Sequence, residues 1–192
     1  MSYHIYTTDG IILRRVPVGE SSISLYILTM DLGLIIATAQ AARAAVSKLR
    51  PALQEYSHVS VSCVKGKNGW KVTNVTEKTN FFFDYPEYIR KKLSKIASMI
   101  LQMMPGESPH PEIFQTVKGG FEFMKSVEEK DLPNFEILTV LRILYQLGYV
   151  ERKLAKSFLE NMEWSQGLLE EISKDKKNLV ELINKALKES HL

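Results

Sequence analysis

Four histidines, one cysteine and twenty-five basic side chains are the residues of this 192-residue chain with chemistry to offer. His4, His58, His110 and His191 fall in four different segments, with neither metal-ligand nor catalytic-triad spacing. They read as surface residues, and no catalytic residue and no metal site is assigned. The chain has no G-x-x-x-x-G-K-[ST] loop to cradle phosphates, no G-x-G-x-x-G and no G-x-S-x-G, which are the spacings that nucleotide hydrolysis, dinucleotide binding and serine nucleophiles require. The expectation is a protein that is not an enzyme and needs no cofactor. Cys63 stands on the apolar phase of an alternating segment, where a buried, inert thiol is expected. A single cysteine allows neither an internal disulfide nor a multi-cysteine zinc site, in keeping with a reducing compartment.

The basic residues carry more. Net charge is only +3, but residues 1–80 hold nine Lys/Arg against five acids and the remainder of the chain is slightly acidic, so a polyanion should prefer the first part. Arg14 and Arg15 end one predicted strand, Arg43, Lys48 and Arg50 cluster after another, and Lys65, Lys67 and Lys71 flank a turn beside Trp70. A single nucleic-acid strand is held by Lys/Arg along its phosphates and aromatics against its bases. Solvated charge on an ordinary surface is the other reading, because Trp70 and Tyr56, the candidate aromatics, fit a core or rim equally well. No run of eighteen apolar residues occurs and the first residues do not resemble a secretory signal; no membrane association and a cytoplasmic location are expected.

The elements that must position these side chains change character near residue 80. Before it, Gly10, Pro17, Gly19, Gly33, Gly66 and Gly69 separate runs rich in Ile, Val, Thr and Tyr, the punctuation of short strands. From Ser22 to Thr29, Ile23, Leu25 and Ile27 alternate with Ser22, Ser24 and Tyr26, and Val59, Val61 and Cys63 repeat this over His58, Ser60 and Ser62, as half-buried strands do. Five strands are predicted, near 6–16, 21–29, 33–40, 57–64 and 70–78. Asp31-Leu32-Gly33 and Lys67-Asn68-Gly69 form tight turns, and Asn74 interrupts the last strand. Residues 41–56 are spaced for a short helix or structured loop. Five strands with a plug before the fourth is the plan of an OB-type barrel.

After Asp84 the period becomes helical. Ile89, Leu93, Ile96, Ile100 and Met103 form one stripe, Pro111 opens a second helix, and Pro133 opens a third that is apolar nearly all round and ends at Gly148. The central Gly119-Gly120 costs about 1 kcal/mol of helix propensity per glycine and suggests close packing. Two amphipathic stretches follow, about 151–173 and 176–189. The fold class is therefore α+β: an N-terminal five-stranded OB-type β-barrel over 1–80 followed by an all-α helical domain over 81–192.

Three stretches resemble one family in order and spacing. Asp9-Gly-Ile-Ile-Leu-Arg-Arg with Val18-Gly-Glu-Ser, Ile27-Leu-Thr-Met-Asp-Leu-Gly-Leu-Ile, and Ala39-Gln-Ala-Ala-Arg43 through Ser47-Lys-Leu to Leu53-Gln-Glu-Tyr56 are similar to the N-terminal OB domain of the bacterial recombination mediators of the RecO family. Leu141-Arg-Ile-Leu-Tyr-Gln-Leu-Gly-Tyr149 resembles the family helix that leads into a zinc-finger-like insert, and 183–192 resembles its closing helix. The resemblance implies binding of single- and double-stranded DNA, annealing of complementary strands, and help with RecA loading alongside RecR on DNA coated by single-strand-binding protein (SSB). It places Arg43 and Lys48 in the DNA-binding segment and makes Glu20 a structural turn residue. Two departures stand out. Ala44-Ala-Val46 replaces a run that is basic in many members, and Glu151-Arg-Lys-Leu-Ala-Lys follows where the insert's cysteines would come, so no metal is expected. The alternative reading is an interaction module that binds RecR or the SSB tail with little DNA affinity of its own.

Overall fold

The computed structural model describes residues 4–43, 49–104 and 106–189; Lys48, one of the predicted site residues, lies outside them. The chain divides into two compact units. The first comprises residues 1–86 and 97–114, and the second 87–96 and 115–192.

The first unit is built on five strands, β1 (Ile5–Val18), β2 (Ser22–Thr29), β3 (Gly33–Ala39), β4 (Ser57–Gly66) and β5 (Gly69–Asn80). They close into a barrel in the order β1-β2-β3-β5-β4. All pairings are antiparallel except β3 with β5, which run parallel over Ala37–Trp70 and Thr38–Lys71. The predicted alternation sets the interior: Ile23, Leu25, Ile27, Val59, Val61 and Cys63 are all buried in one core. Ala42, Ala52 and Leu53, from the segment between β3 and β4, join that core. They serve as the expected plug, although the described part of the segment forms turns rather than a helix.

Bulges account for the places where alternation fails. Register slips at Leu13 of β1, and at Thr73 and Lys78 of β5. The slip at Thr73 resets the phase, so Trp70, Val72 and Val75 all face the core and Asn74 lies outside without ending the strand. The barrel also needs residues well beyond 80. Leu34 donates its backbone N–H to the Gly106 carbonyl at 2.8 Å. Gly33, at φ 72°, sits so close that a Cβ would lie 2.2 Å from the Ser108 carbonyl oxygen. The Asp31-Leu32-Gly33 turn is thus also the seat for the chain that returns after the first long helix.

The helices are α1 (Phe81–Asp84), α2 (Glu87–Met103), α3 (Pro111–Phe123), α4 (Leu132–Gln146), α5 (Lys156–Leu159) and α6 (Gln166–Glu189). The predicted stripe of α2 is buried throughout. In the second unit α4 is the central element, buried on nearly every side from Leu132 to Leu144. It ends as expected at Gly148, φ 84°, with the Tyr149 N–H reaching the Leu144 carbonyl at 2.9 Å. Gly119 and Gly120 make room for an indole rather than for another helix: a Cβ on Gly120 would lie 2.8 Å from the Trp164 ring.

The predicted amphipathic stretch over 151–173 is corrected. It breaks into a 3₁₀ turn at Arg152–Leu154, the short α5, an irregular run, and the start of α6, which itself kinks at Asp175. The cause is Arg142. Its guanidinium, fully buried, donates to the carbonyls of Phe158, Asn161, Met162 and Glu163 and stacks 4.6 Å from the Trp164 ring centre. Carbonyls gathered around one cation are not in a helical ladder. Among the described residues, no helix is long and apolar enough to cross a membrane.

Candidate nucleic-acid interface

Strand register assembles the interface. Residues directly opposite one another in a sheet point to the same side, so the inward Ile23, Leu25 and Ile27 leave Ser22, Ser24 and Tyr26 outward. Arg14 pairs with Tyr26 and Tyr26 with Ile36, giving an outward row across β1, β2 and β3. The next row runs Val16, Ser24, Thr38, Lys71 and Val64 across β1, β2, β3, β5 and β4. Val18 and Ser22 form a third. With strands about 4.8 Å apart, Lys71 stands on the order of 14 Å from the β1 edge of its row.

The same outer surface is divided along the strands. Ile11, Leu28 and Leu34, one step toward the other end, are buried, whereas Arg14, Ile36 and Lys71 are exposed and Tyr26 is half-buried. No carboxylate stands in the three exposed rows. The nearest in sequence, Glu20, belongs to the turn between β1 and β2 beyond the third row.

The predicted site residues divide into those the fold brings to this surface and those it uses elsewhere. Arg14 lies at its β1 edge, with its guanidinium 5.9 Å from the Tyr26 ring centre. Lys71 lies at its β5 edge. Arg43 closes the end beyond Val18 and Ser22: its backbone N–H donates to the Ser21 carbonyl at 2.9 Å and its Nη1 to the Gly19 carbonyl at 3.0 Å. Lys67, at the tip of the β4–β5 hairpin, shares with Lys71, Asn68, Val64 and Gly66 an open cleft of about 300 Å³. Arg50 is exposed in the plug segment. Among the described residues no carboxylate pairs with Arg14, Lys67 or Lys71.

Arg15 and Lys65 are differently placed. Arg15 falls on the inward phase after the β1 bulge. Its Nη1 donates to Gln54 at 2.6 Å and its backbone N–H to Glu55 at 3.0 Å, so it ties the plug to the barrel. Lys65 pairs with Glu107 at 2.5 Å and lies 5.3 Å from the Trp70 ring centre. That ammonium holds Glu107 below the usual carboxylate range, and the two charges offset one another. Trp70 and Tyr56, the aromatics weighed as base platforms, are core residues, 5% and 6% exposed. Burial pushes the Cys63 thiol up to about 11, in line with an inert sulfur.

Sequence reasoning passed over Tyr26 and Ile36. The signal for Tyr26 was present, since it sits on the polar phase of β2. Ile36 was hidden inside the continuous apolar run Leu34-Ile35-Ile36, in which no phase is legible.

Residues 1–81 match the family model described as Recombination protein O N terminal. A protein of Dehalococcoides mccartyi named DNA repair protein RecO is 30% identical over 133 residues, covering 67% of this chain and 51% of that protein. The protein of the same name from Heliobacterium modesticaldum is 28% identical over 146 residues, covering 76% and 52%, and that from Gloeothece citriformis is 25% identical over 180 residues, covering 84% and 61%. The chain spans about half the length of the first relatives it matches. The family match falls on the segment that forms the closed β1-β2-β3-β5-β4 barrel, so the barrel is the part of the chain that is similar to the RecO family's N-terminal domain.

Proposed function

We propose that the chain is a DNA-repair protein of the mediator type. It holds single- and double-stranded DNA by their phosphates on the outer surface of β1, β2, β3 and β5, promotes annealing of complementary strands, and assists RecA loading together with RecR. Binding of RecR and of the SSB tail is assigned to the helical domain. The observation that carries the reading is the exposed, carboxylate-free surface rimmed by Arg14, Arg43 and Lys71, with Lys67 beside it. No covalent chemistry is required of it: gathering two strands on a basic surface screens their repulsion, and pairing then runs downhill.

The test is a salt titration of the full chain with a fluorescent single-stranded oligonucleotide. Four cations meeting about four phosphates give a log–log slope of about −3 on single strands, and Lys71→Ala should make the slope shallower by about 0.7. Binding that is flat between low and moderate salt would overturn the assignment.

A second reading, an interaction module with little DNA affinity, draws on Arg15 and Lys65, whose charges are engaged by Gln54 and by Glu107, and on Ala44-Ala45 in the segment that is basic in many members. It predicts no measurable DNA binding at moderate salt and an intact complex with RecR.

A further inference from the structure

The β4–β5 hairpin gathers three lysines, and one of them is answered from within the chain. Among the described residues Lys67 and Lys71 have no carboxylate partner, whereas the Lys65 ammonium lies 2.5 Å from Glu107 Oε2 and 5.3 Å from the Trp70 ring centre. Lys65 is only about 7 Å along the extended strand from Lys67, and its neighbours Val64 and Gly66 line the cleft that Lys67 and Lys71 border. Both partners of the ion pair are about half exposed, within reach of any anion that approaches the hairpin.

Glu107 differs from an ordinary surface partner. Many exposed pairs of this chain join residues two or four positions apart, as Lys130 with Glu128 and Lys91 with Glu87 do; Glu107 arrives from forty-two residues away. Its backbone is fixed on either side, by the Leu34 N–H on the Gly106 carbonyl at 2.8 Å and by the close seat of Ser108 against Gly33. A carboxylate presented by a fixed backbone loses less freedom on pairing than one on a loose segment. Lys65 holds it below the usual carboxylate range, so it is ionised at neutral pH and the pair persists there.

We infer that Glu107 is an autoinhibitory stand-in for a phosphate: it occupies Lys65 and withholds that cation from nucleic acid until a phosphate displaces it. The inference rests on the nucleic-acid reading of the barrel. Carboxylate and phosphate oxygens accept from the same ammonium donors, so the two compete for one site. An exposed ion pair is weak and screened by salt, so a bound polyanion can displace Glu107, at a cost in affinity. The contact thereby makes binding weaker, and its salt dependence shallower, than the three lysines of the hairpin would give.

The experiment compares the full chain with its Glu107→Gln and Glu107→Ala variants in salt titrations of a fluorescent oligonucleotide, single-stranded and as the duplex. Freeing Lys65 for one more phosphate should steepen the log–log slope by about 0.7 on single strands and about 0.9 on duplex. Near about 0.1 M salt the single-strand affinity should rise roughly fivefold. Both variants should show the gain, because both remove the charge and only one keeps the shape of the side chain. In a Lys65→Ala chain the same two substitutions should change affinity by less than about twofold, since the cycle has removed the cation for which Glu107 competes.

Unchanged affinity and slope in Glu107→Gln would leave Lys65 and Glu107 as a plain surface ion pair and overturn the inference while the phosphate-binding surface stands. An equal gain in the Lys65→Ala chain would also overturn it, because the effect would then be repulsion at a distance rather than occupancy of Lys65. Binding that appears only once Glu107 is replaced supports the inference in its strongest form. Absence of binding by all of these chains would overturn both this inference and the reading it rests on.

Discussion

Arg142 shows how much of the second unit hangs on one side chain. A buried guanidinium with no carboxylate beside it is costly, and here four backbone carbonyls and the Trp164 ring compensate it. Burial pushes its pKa down to about 10, so the cation persists at neutral pH. A lysine has neither the planar fork nor the stacking face. Arg142→Lys should therefore cost about 2–3 kcal/mol, the cost of stranding several buried acceptors, read as a lower urea midpoint. Asp9 is the counterpart in the barrel. Burial alone would push its carboxyl up, but Lys78 at 2.6 and 2.7 Å and His58 at 3.5 Å bring it below the usual carboxylate range. A carboxylate with a lowered folded pKa contributes stability above its unfolded value near 4, and loses it as pH falls through the folded value. Thermal melting across the acid range should show Asp9→Asn less acid-sensitive than the unmodified chain.

At the level of elements, turns and bulges decide more than strand propensity does. The β1 bulge at Leu13 sends Arg14 outward beside Tyr26 and Arg15 inward to Gln54, so two adjacent arginines acquire different roles. The β2–β3 turn does double service, reversing the chain and receiving residues 106–108. Gly33→Ala asks an L-residue to hold φ 72° and places a methyl 2.2 Å from the Ser108 carbonyl oxygen and 2.6 Å from that of Gly106. The three nearest atoms are all backbone, so no flexible side-chain end can yield. The substitution should destabilise by about 2 kcal/mol or more, whereas Gly19→Ala, with positive φ but open space around it, should cost about 1 kcal/mol. Paired denaturation curves check the difference. The same contact explains why binding experiments belong on the full chain: a fragment ending at residue 80 would leave Leu34 without its Gly106 acceptor.

For the whole molecule, the proposed annealing activity calls for neither an energy source nor a metal. The strands pair spontaneously once screened and held accessible, and the sequence has neither a phosphate-cradling loop nor a cysteine–histidine cluster through which ATP or zinc would act. Complementary oligonucleotides should pair faster with the protein in ATP-free buffer, equally with and without chelator. Acceleration that required ATP or zinc would contradict the mediator assignment, and no acceleration at all would favour the interaction-module reading.

Sequence alone determined what depends on neighbours along the chain. The two-residue phases of Ile23-Leu25-Ile27 and Val59-Val61-Cys63, the glycine turns, the α2 stripe and the Gly148 stop each follow from local sterics and periodic burial, and the order of these segments sufficed for an OB barrel followed by helices. What it left open required partners far apart in sequence. Lys65 is offset by a carboxylate forty-two residues away, Trp70 is a core residue because β5 closes on β3, and the run over 151–173 is broken by an arginine of α4. The grouping of Arg14, Tyr26, Ile36 and Lys71 on one surface was decided by tertiary structure, since cross-strand register and barrel closure are long-range pairings that no single strand's pattern records.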